Sequence, residues 1–492
     1  MASCSMLVGC GGITSSETVT LSNQTAPQII EETTTAEPET YATPEFAAEE
    51  ANIVMIGDML CHEGVYNSGY FDDGTVNFDH IFANTKDVIS AADLAIVNQE
   101  TMLGGKELGL SGYPCFNSPY EIGDALVEAG FDVVLSATNH TLDRGLTAID
   151  NALNFWEENY PDIAVLGMHG EDFTDYSTQD IYVYEKGGMK VAILNYTYGT
   201  NGIPLPSSRP LVVNLLDEEK IRMDVERAKE MANFIIVCPH WGTEYVYRPD
   251  SSQEKWTKLF YDLGVDLVIG AHPHVLENVE WYSTEDSDRN MLVYYSLGNF
   301  VSNQDRMPRM LGGMADVTLR IDLASNLSQE ERSATTYETF TATFPKEWQG
   351  KDMVECGEDA TNSNTGSKMP ETTGEVRGTS AGTSSHDEDG FYVINGALTE
   401  AGAQVANLPV GTKDGDELVV YIADAALDPL VCHKLFGPGK ITTYFLSDYD
   451  DTLASQNRIN ADEPGFSMAY LDDLCEEILG DWYTSSEEAA AQ

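Results

Sequence analysis

The chain has 492 residues, with 81 acidic side chains against 26 basic ones and a formal net charge of −55. A surface of that sign repels nucleic acid, which is bound through cationic side chains that displace phosphate counterions. It equally repels anionic polymers and lipid headgroups unless divalent ions bridge the two.

Hydrophobic content of 42% and 24 tyrosines supply a large core. The length suits two or three domains. Eight cysteines without a Cys-x-x-Cys argue against a zinc ribbon or a thioredoxin-like motif, and in so long a chain they make no disulfide scaffold. Their order leaves any pairing open.

In chain order, Leu7-Val8-Gly9-Cys10 comes first and matches the lipobox of bacterial lipoproteins, with Cys10 as the residue to be lipidated. Residues 1–12 then read as a truncated signal, because the stretch before Cys10 lacks basic residues and a full apolar region. Residues 13–51 are rich in Thr, Glu, Ser and Pro and read as a disordered acidic tether. No later run reaches the ~18 apolar residues of a membrane span. The expectation is a protein held at the extracellular face of the bacterial cytoplasmic membrane by its lipid alone.

From Asn52 the pattern alternates between strand and helix. Ile53–Ile56, Leu94–Val97, Val133–Leu135, Val191–Leu194, Phe234–Val237 and Leu267–Ile269 are short apolar runs, suited to a sheet covered on both faces. Ser118-Pro119-Tyr120-Glu121 predicts a capping box and Gly130 a helix stop. Asp217 predicts the cap of a helix carrying Ile221, Val225 and Ala228. Ser251-Ser252-Gln253-Glu254 opens a helix whose apolar face is Trp256, Leu259, Phe260 and Leu263, ending at Gly264.

Strand alternating with helix implies βαβ units and a layered α/β domain, placed at residues 52–345. Later strands are expected at Leu292–Ser296, Asp316–Ile321 and Leu418–Ile422, and a helical pattern runs from Met468 to Trp482. Residues 355–389, dominated by Gly, Ser, Thr, Asn and Glu, read as a flexible insertion or linker. Residues 390–483 form a C-terminal α/β extension, either a small second domain or a return of the first.

Chemistry-bearing residues recur just after these apolar runs. Asp58, then Asn98 and Glu100, then Asn139, His140 and Asp143, then His240, and finally His272 and His274 each follow one. In mostly parallel sheets, ligands gather beyond the strand C-termini. Singly, each has an ordinary alternative, such as a turn cap, an ion pair or a satisfied core histidine. Jointly, carboxylate, amide oxygen and imidazole suit one or two first-row divalent ions such as Mn²⁺, Fe²⁺ or Zn²⁺, and a carboxylate can bridge a pair of them.

Six motifs, in order, resemble those of the CapA family of poly-γ-glutamate capsule synthesis proteins, which are related to calcineurin-like metallophosphoesterases. They are Gly57-Asp58, Asn98-Gln99-Glu100-Thr101, Thr138-Asn139-His140-Thr141-Leu142-Asp143-Arg144-Gly145, His240-Trp241-Gly242-Thr243-Glu244-Tyr245, Gly270-Ala271-His272-Pro273-His274-Val275 and Ser296-Leu297-Gly298-Asn299-Phe300. Asn201-Gly202-Ile203-Pro204 is also similar. The resemblance covers residues 52–301 and implies a metallophosphoesterase-like four-layer α/β/β/α sandwich. It implies that Asp58, Glu100, Asn139, His240, His272 and His274 bind metal, with Glu100 in the bridging position. His140 would contact phosphate or protonate the leaving group, and Asp143 would orient it. Asn98, Glu244 and Asn299 are the expected substrate-binding residues.

One departure stands out. The family's relatives carry Asp-x-His in the first motif, whereas Leu60 follows Asp58 by two positions here, and His62 is the nearest substitute.

The expected function is that of a metal-binding envelope protein in capsule polymer synthesis or export, with a phosphoesterase-like hydrolytic site. Its partners would be an anionic envelope polymer or a phosphoester, and a membrane synthase complex. A non-catalytic accessory protein of that complex is the alternative, using metal structurally or as a bridge to polymer. An amide hydrolase acting through the same site is a third. No Gly-x-Ser-x-Gly elbow supports a covalent route.

Overall fold

The computed structural model describes residues 42–178, 181–287, 289–328, 339–346, 348–349, 353–355 and 391–483. The lipobox with Cys10, residues 13–41 of the expected tether and residues 356–389 of the expected linker lie outside them.

Four parallel strands open the larger, nine-stranded sheet: β1 (Glu49–Met59), β2 (Leu94–Asn98), β3 (Val133–Leu135) and β4 (Ala164–Leu166). A second sheet of six strands follows: β5 (Tyr182–Lys186), β6 (Met189–Thr197), β7 (Phe234–His240), β8 (Leu267–Ile269), β9 (Val279–Ser283) and β10 (Asn290–Tyr294). Its spatial order is β5-β6-β7-β8-β10-β9, parallel inside with antiparallel edges.

The chain then returns to the first sheet. β11 (Asn299–Val301) runs parallel to the end of β1, and β12 (Leu311–Leu323) runs antiparallel to β1. β13 (Thr339–Thr341) follows, then β14 (Met353–Glu355), β15 (Phe391–Ile394) and β16 (Ala397–Leu398), which make a small separate sheet. β17 (Glu417–Lys434) and β18 (Ile441–Phe445) complete the large one.

Side chains of a strand alternate between faces, and that alternation builds the layers. From β1, Ile53 and Met55 enter a core shared with Val191 and Ile193 of β6 and Ile236 of β7, between the two sheets. Val54 and Ile56 point the other way, into a core with Ile122 and Leu126 of the helix Glu121–Ala129 and Ile149 of the helix Gly145–Asn159. On the outer face of the second sheet, Ala192, Leu194, Ile235 and Val237 meet Ile221 and Val225 of the helix Glu218–Met231 and Phe260 of the helix Ser251–Leu263. Three stacked cores make four layers, α/β/β/α.

The tail belongs to this architecture. β17 pairs with β12 from Leu311↔Val431 to Leu323↔Leu418, and the helix Met468–Leu479 sends Leu471, Leu474 and Cys475 into the central core. The N-terminal boundary also moves: β1 begins at Glu49, because Glu49 to Asn52 already pair with β12.

Helix ends show which local signals act. Asp217 caps its helix by accepting from the Lys220 amide, and Gly130 and Gly264 stop theirs in the left-handed conformation. The box at Ser118 does not form. The helix starts at Glu121 with no side-chain cap, and Ser118 Oγ lies 3.0 Å from Thr101 Oγ1 instead. The helix expected to open at Ser251 does so, and its capping box is made by the residue before it, where Asp250 and Gln253 satisfy each other's backbone amides. Among the described residues, no helix is long and apolar enough to cross a membrane.

Candidate metal centre

Parallel strands from both sheets end on one seam. Asp58 lies near the end of β1, Asn98 ends β2 with Glu100 just past it, and Asn139 and His140 follow β3. From the second sheet, His240 ends β7, and His272 and His274 follow β8. Asn299 begins β11, opposite Asp58.

Two glycines allow the backbones to come this close. A Cβ on Gly57 would stand 2.0 Å from the Gly298 carbonyl oxygen, and one on Gly270 would stand 2.2 Å from that of Tyr295. The turns themselves are strained. His272 (φ +105°), His274 (φ +59°), Tyr245 (φ +66°) and Asn201 (φ +51°) occupy a region that costs a side-chain-bearing residue about 1–3 kcal/mol. Such strain concentrates where geometry serves a site.

The polar side chains form one connected network. Asn98 Nδ2 donates to Asp58 Oδ1 at 2.7 Å and lies 3.3 Å from His240 Nδ1. His240 Nε2 is 2.9 Å from Asn139 Oδ1. His274 Nδ1 lies 3.0 Å from Asp58 Oδ2 and 3.1 Å from Asn299 Oδ1. His140 Nδ1 lies 2.7 Å from Asp143 Oδ2. A carboxylate only accepts, so Nδ1 carries the proton and Nε2 is left facing Glu100. Asp143 is itself held by the Phe116 amide at 2.7 Å.

Glu100 sits at the centre. It is fully buried, and neither carboxylate oxygen has a hydrogen-bond partner. Around Oε1 stand His240 Nε2 and His274 Nε2 at 3.7 Å and His140 Nε2 at 3.9 Å, too far for hydrogen bonds. Buried polar atoms are nearly always paired, so an orphan carboxylate ringed by imidazoles is a donor set that fits a cation.

Donor atoms of Glu100, His240 and His272 lie within 4.8 Å of one another, as do those of Asp58, Glu100 and His274. Glu100 belongs to both groups. Glu244, exposed at the rim, forms a third with His272 and His274.

Electrostatics agree with that donor set. Burial, helped by repulsion from neighbouring imidazoles (His272, His274 and His140 for His240; His274 and His140 for His272), holds His240 and His272 well below the ordinary histidine value, so both are neutral, the form in which imidazole ligates metal. Burial pushes Glu100 well above the carboxylate range, with Asp58 adding to it against the pull of His274. His274 goes up, to about 9: burial opposes its charge, but Glu100, Asp58 and Glu244 outweigh it. A bound divalent ion reverses this logic by restoring the ionised carboxylate.

His62 stands apart from these groups. Its Nδ1 accepts from the Asn303 amide at 3.3 Å, and its ring packs edge-on to Phe116. Leu60, at the sequence position of the histidine in an Asp-x-His, is buried.

Asn201 is the site residue that sequence reasoning left without a role. Its amide joins Asn139 Nδ2 at 3.2 Å and lies 3.3 Å from His140 Nδ1, and Tyr198 packs its ring 4.6 Å from that of His272. Both follow β6, so the strand-end rule that picked out the other residues reaches them too.

Residues 52–304 match the family described as "Bacterial capsule synthesis protein PGA_cap". Over 180 residues the chain is 31% identical to the PGA biosynthesis protein CapA of Bacillus subtilis (strain 168), covering 36% of this chain and 44% of that protein. Over 185 residues it is 31% identical to the capsule biosynthesis protein CapA of Bacillus anthracis, covering 37% and 42%. It thus spans less than half the length of these curated relatives.

Among solved structures, a putative 5'-nucleotidase from Staphylococcus aureus is similar at 15% identity and a TM-score of 0.36, covering 55% of this chain and 51% of that one. The NAD nucleotidase of Haemophilus influenzae is similar at 13% identity and a TM-score of 0.37, covering 56% and 47%. With the family match spanning half of its length and taking in the whole histidine–carboxylate cluster, the chain belongs to the bacterial capsule synthesis protein PGA_cap family.

Proposed function

We propose that this protein is a metal-dependent, phosphoesterase-like hydrolase in the synthesis or export of a poly-γ-glutamate-type capsule, lipid-anchored through Cys10 outside the cytoplasmic membrane. The names of its CapA relatives support the capsule role. Asp58, Glu100 and His274 would hold one ion, and Glu100, Asn139, His240 and His272 the other. Ions of the Mn, Fe or Zn type supply a Lewis acid and a water acidified toward neutrality.

The chain's own groups do the rest. His140, its Nδ1–H held by Asp143, directs Nε2 at the space beside Glu100, where a second proton taken up at Nε2 gives an imidazolium that can protonate a leaving oxygen or steady developing negative charge. Asp143 positions that ring, as carboxylates commonly do for imidazole. Glu244 would contact substrate from the exposed rim, and Asn98 and Asn299 from within the buried network beside Asp58 and His274.

The observation that carries this reading is the buried Glu100 carboxylate without a hydrogen bond. The test is metal content by mass spectrometry after Mn²⁺ or Zn²⁺ loading, followed by turnover of bis(4-nitrophenyl) phosphate. Wild type should hold metal and turn over, and Glu100→Gln should lose both. A wild-type protein that takes up no metal would sink the proposal.

Buried Leu60 favours a second reading, a non-catalytic accessory protein of a membrane synthase complex, since it leaves the Asp58 ion short of a ligand. Stoichiometric metal with no turnover of any phosphoester would select it.

A further inference from the structure

Beside the metal centre lies a cavity of about 610 Å³. Tyr245 and Gln304 form the partition. The Tyr245 ring is 5.9 Å from that of His274, and Gln304 Oε1 accepts from Asn299 Nδ2 at 3.0 Å. Arg309, Lys434 and Arg458 also line it, all beyond residue 304, where the family match ends.

Lys434 is only 3% exposed, and its ammonium donates to the Gln304 carbonyl oxygen. Among the described residues, no carboxylate oxygen comes within 4.0 Å of Lys434 or Arg458. Arg458 lies over the exposed Phe436 ring at 4.4 Å. Burial holds Lys434 below the ordinary lysine value, and the neighbouring Arg458 adds to that, against the pull of Cys432, Asp462 and Asp305. Arg309 covers the Tyr245 ring at 3.6 Å and meets Asp305 at 3.6 Å.

A buried cation without a counter-ion is costly unless a ligand supplies one. The lining carries three cations against the carboxylates of Asp305 and Asp462, in a chain whose net charge is −55. An anion repelled by most of this surface meets clustered cations here, next to the proposed ions.

We infer that this cavity is an oxyanion subsite, in which Lys434 and Arg458 hold a carboxylate or phosphate of the substrate while a neighbouring bond lies at the metal centre. The inference rests on the proposed function for the second half of that statement only. The subsite is a contribution of the C-terminal segment to a site otherwise built from the family's own motifs.

The test is calorimetric titration of the metal-loaded full chain with two probes, a γ-linked glutamate trimer and inorganic phosphate, with metal content measured on every sample. Wild type should bind at least one. Lys434→Met and Arg458→Gln should each weaken that probe about tenfold or more, the usual scale for losing a charged hydrogen-bond partner, with metal unchanged. The probe affected identifies carboxylate or phosphate as the group held. Arg458 is only half-buried, so its variant keeps the test open if Lys434→Met misfolds.

Wild type binding neither probe, or both variants binding both probes as tightly as wild type, would overturn the subsite. Wild type without metal but with the affinity losses intact would remove the hydrolase reading and leave the subsite standing.

Discussion

Lys220 and Asp224, one turn apart on the helix Glu218–Met231, are nearly as buried as Glu100, yet they form an ion pair, although Asp224 Oδ1 also lacks a hydrogen bond. Lys220 Nζ donates to Asp224 Oδ2 at 2.7 Å, the Tyr196 hydroxyl donates to the same oxygen at 2.8 Å, and the Tyr176 ring lies 4.1 Å from the ammonium. Its charges cancel within the chain. At the candidate metal centre the balance is left open: Glu100 has no hydrogen bond, His240 and His272 beside it are held neutral by burial, and the counter-charge of His274 is shared with Asp58. A buried charge that carries its own counter-charge is structural; one that lacks it marks a place for something from outside.

The sharpest way to break that contrast is His140→Ala. It should cut phosphodiester turnover by about 10²–10⁴-fold, the range of a positioned acid or base, while bound metal stays at the wild-type level. Parental turnover in that variant would remove His140 from the chemistry. Lys220→Met leaves Asp224 buried and unpaired, and should cost about 3–5 kcal/mol of stability with metal content unchanged. Urea denaturation measures it, and a loss of metal in that variant would mean that the two clusters are not independent.

The pH dependence follows from His274 and Glu100. The folded protein raises His274 from 6.5 to about 9, so in metal-stripped protein its contribution is complete below pH 6.5 and is lost as the pH rises through 9. Glu100, also raised, acts with the same sign above its ordinary value. The Tm of chelated protein should therefore fall between pH 6.5 and 9, and loading with Mn²⁺ should flatten the slope because the ion replaces the proton. Equal slopes with and without metal would contradict this. The smallest effect belongs to the outer helix layer: Asp250→Ala removes one side of the capping box and should cost about 0.5–2 kcal/mol, with turnover untouched.

The fold was legible where one local rule acts without competition. Among the described residues no tertiary hydrogen bond draws Asp217 away, and it caps its helix as its position suggests. Ser118 has the same chemistry but is buried against Thr101, and the tertiary hydrogen bond wins over the cap. β1 reaches back to Glu49 although Glu49 and Glu50 read as tether, because pairing with β12 satisfies their backbone irrespective of their side chains. The small strand β11 carries little periodicity of its own, and it exists because Gly57 and Gly298 allow it to lie against β1.

For the site, the local code named the donors and the folded chain determined their company. Asp58, Glu100, His240, His272 and His274 could be picked out because each follows an apolar run, and in parallel sheets such positions face a common edge. That His62 turns away, and that Lys434 and Arg458 come to line the cavity behind Tyr245, had no trace in the residue order. Those placements depend on which sheet each strand joins and on the register of β17 against β12, and long-range pairing of this kind leaves no periodic mark in either partner alone.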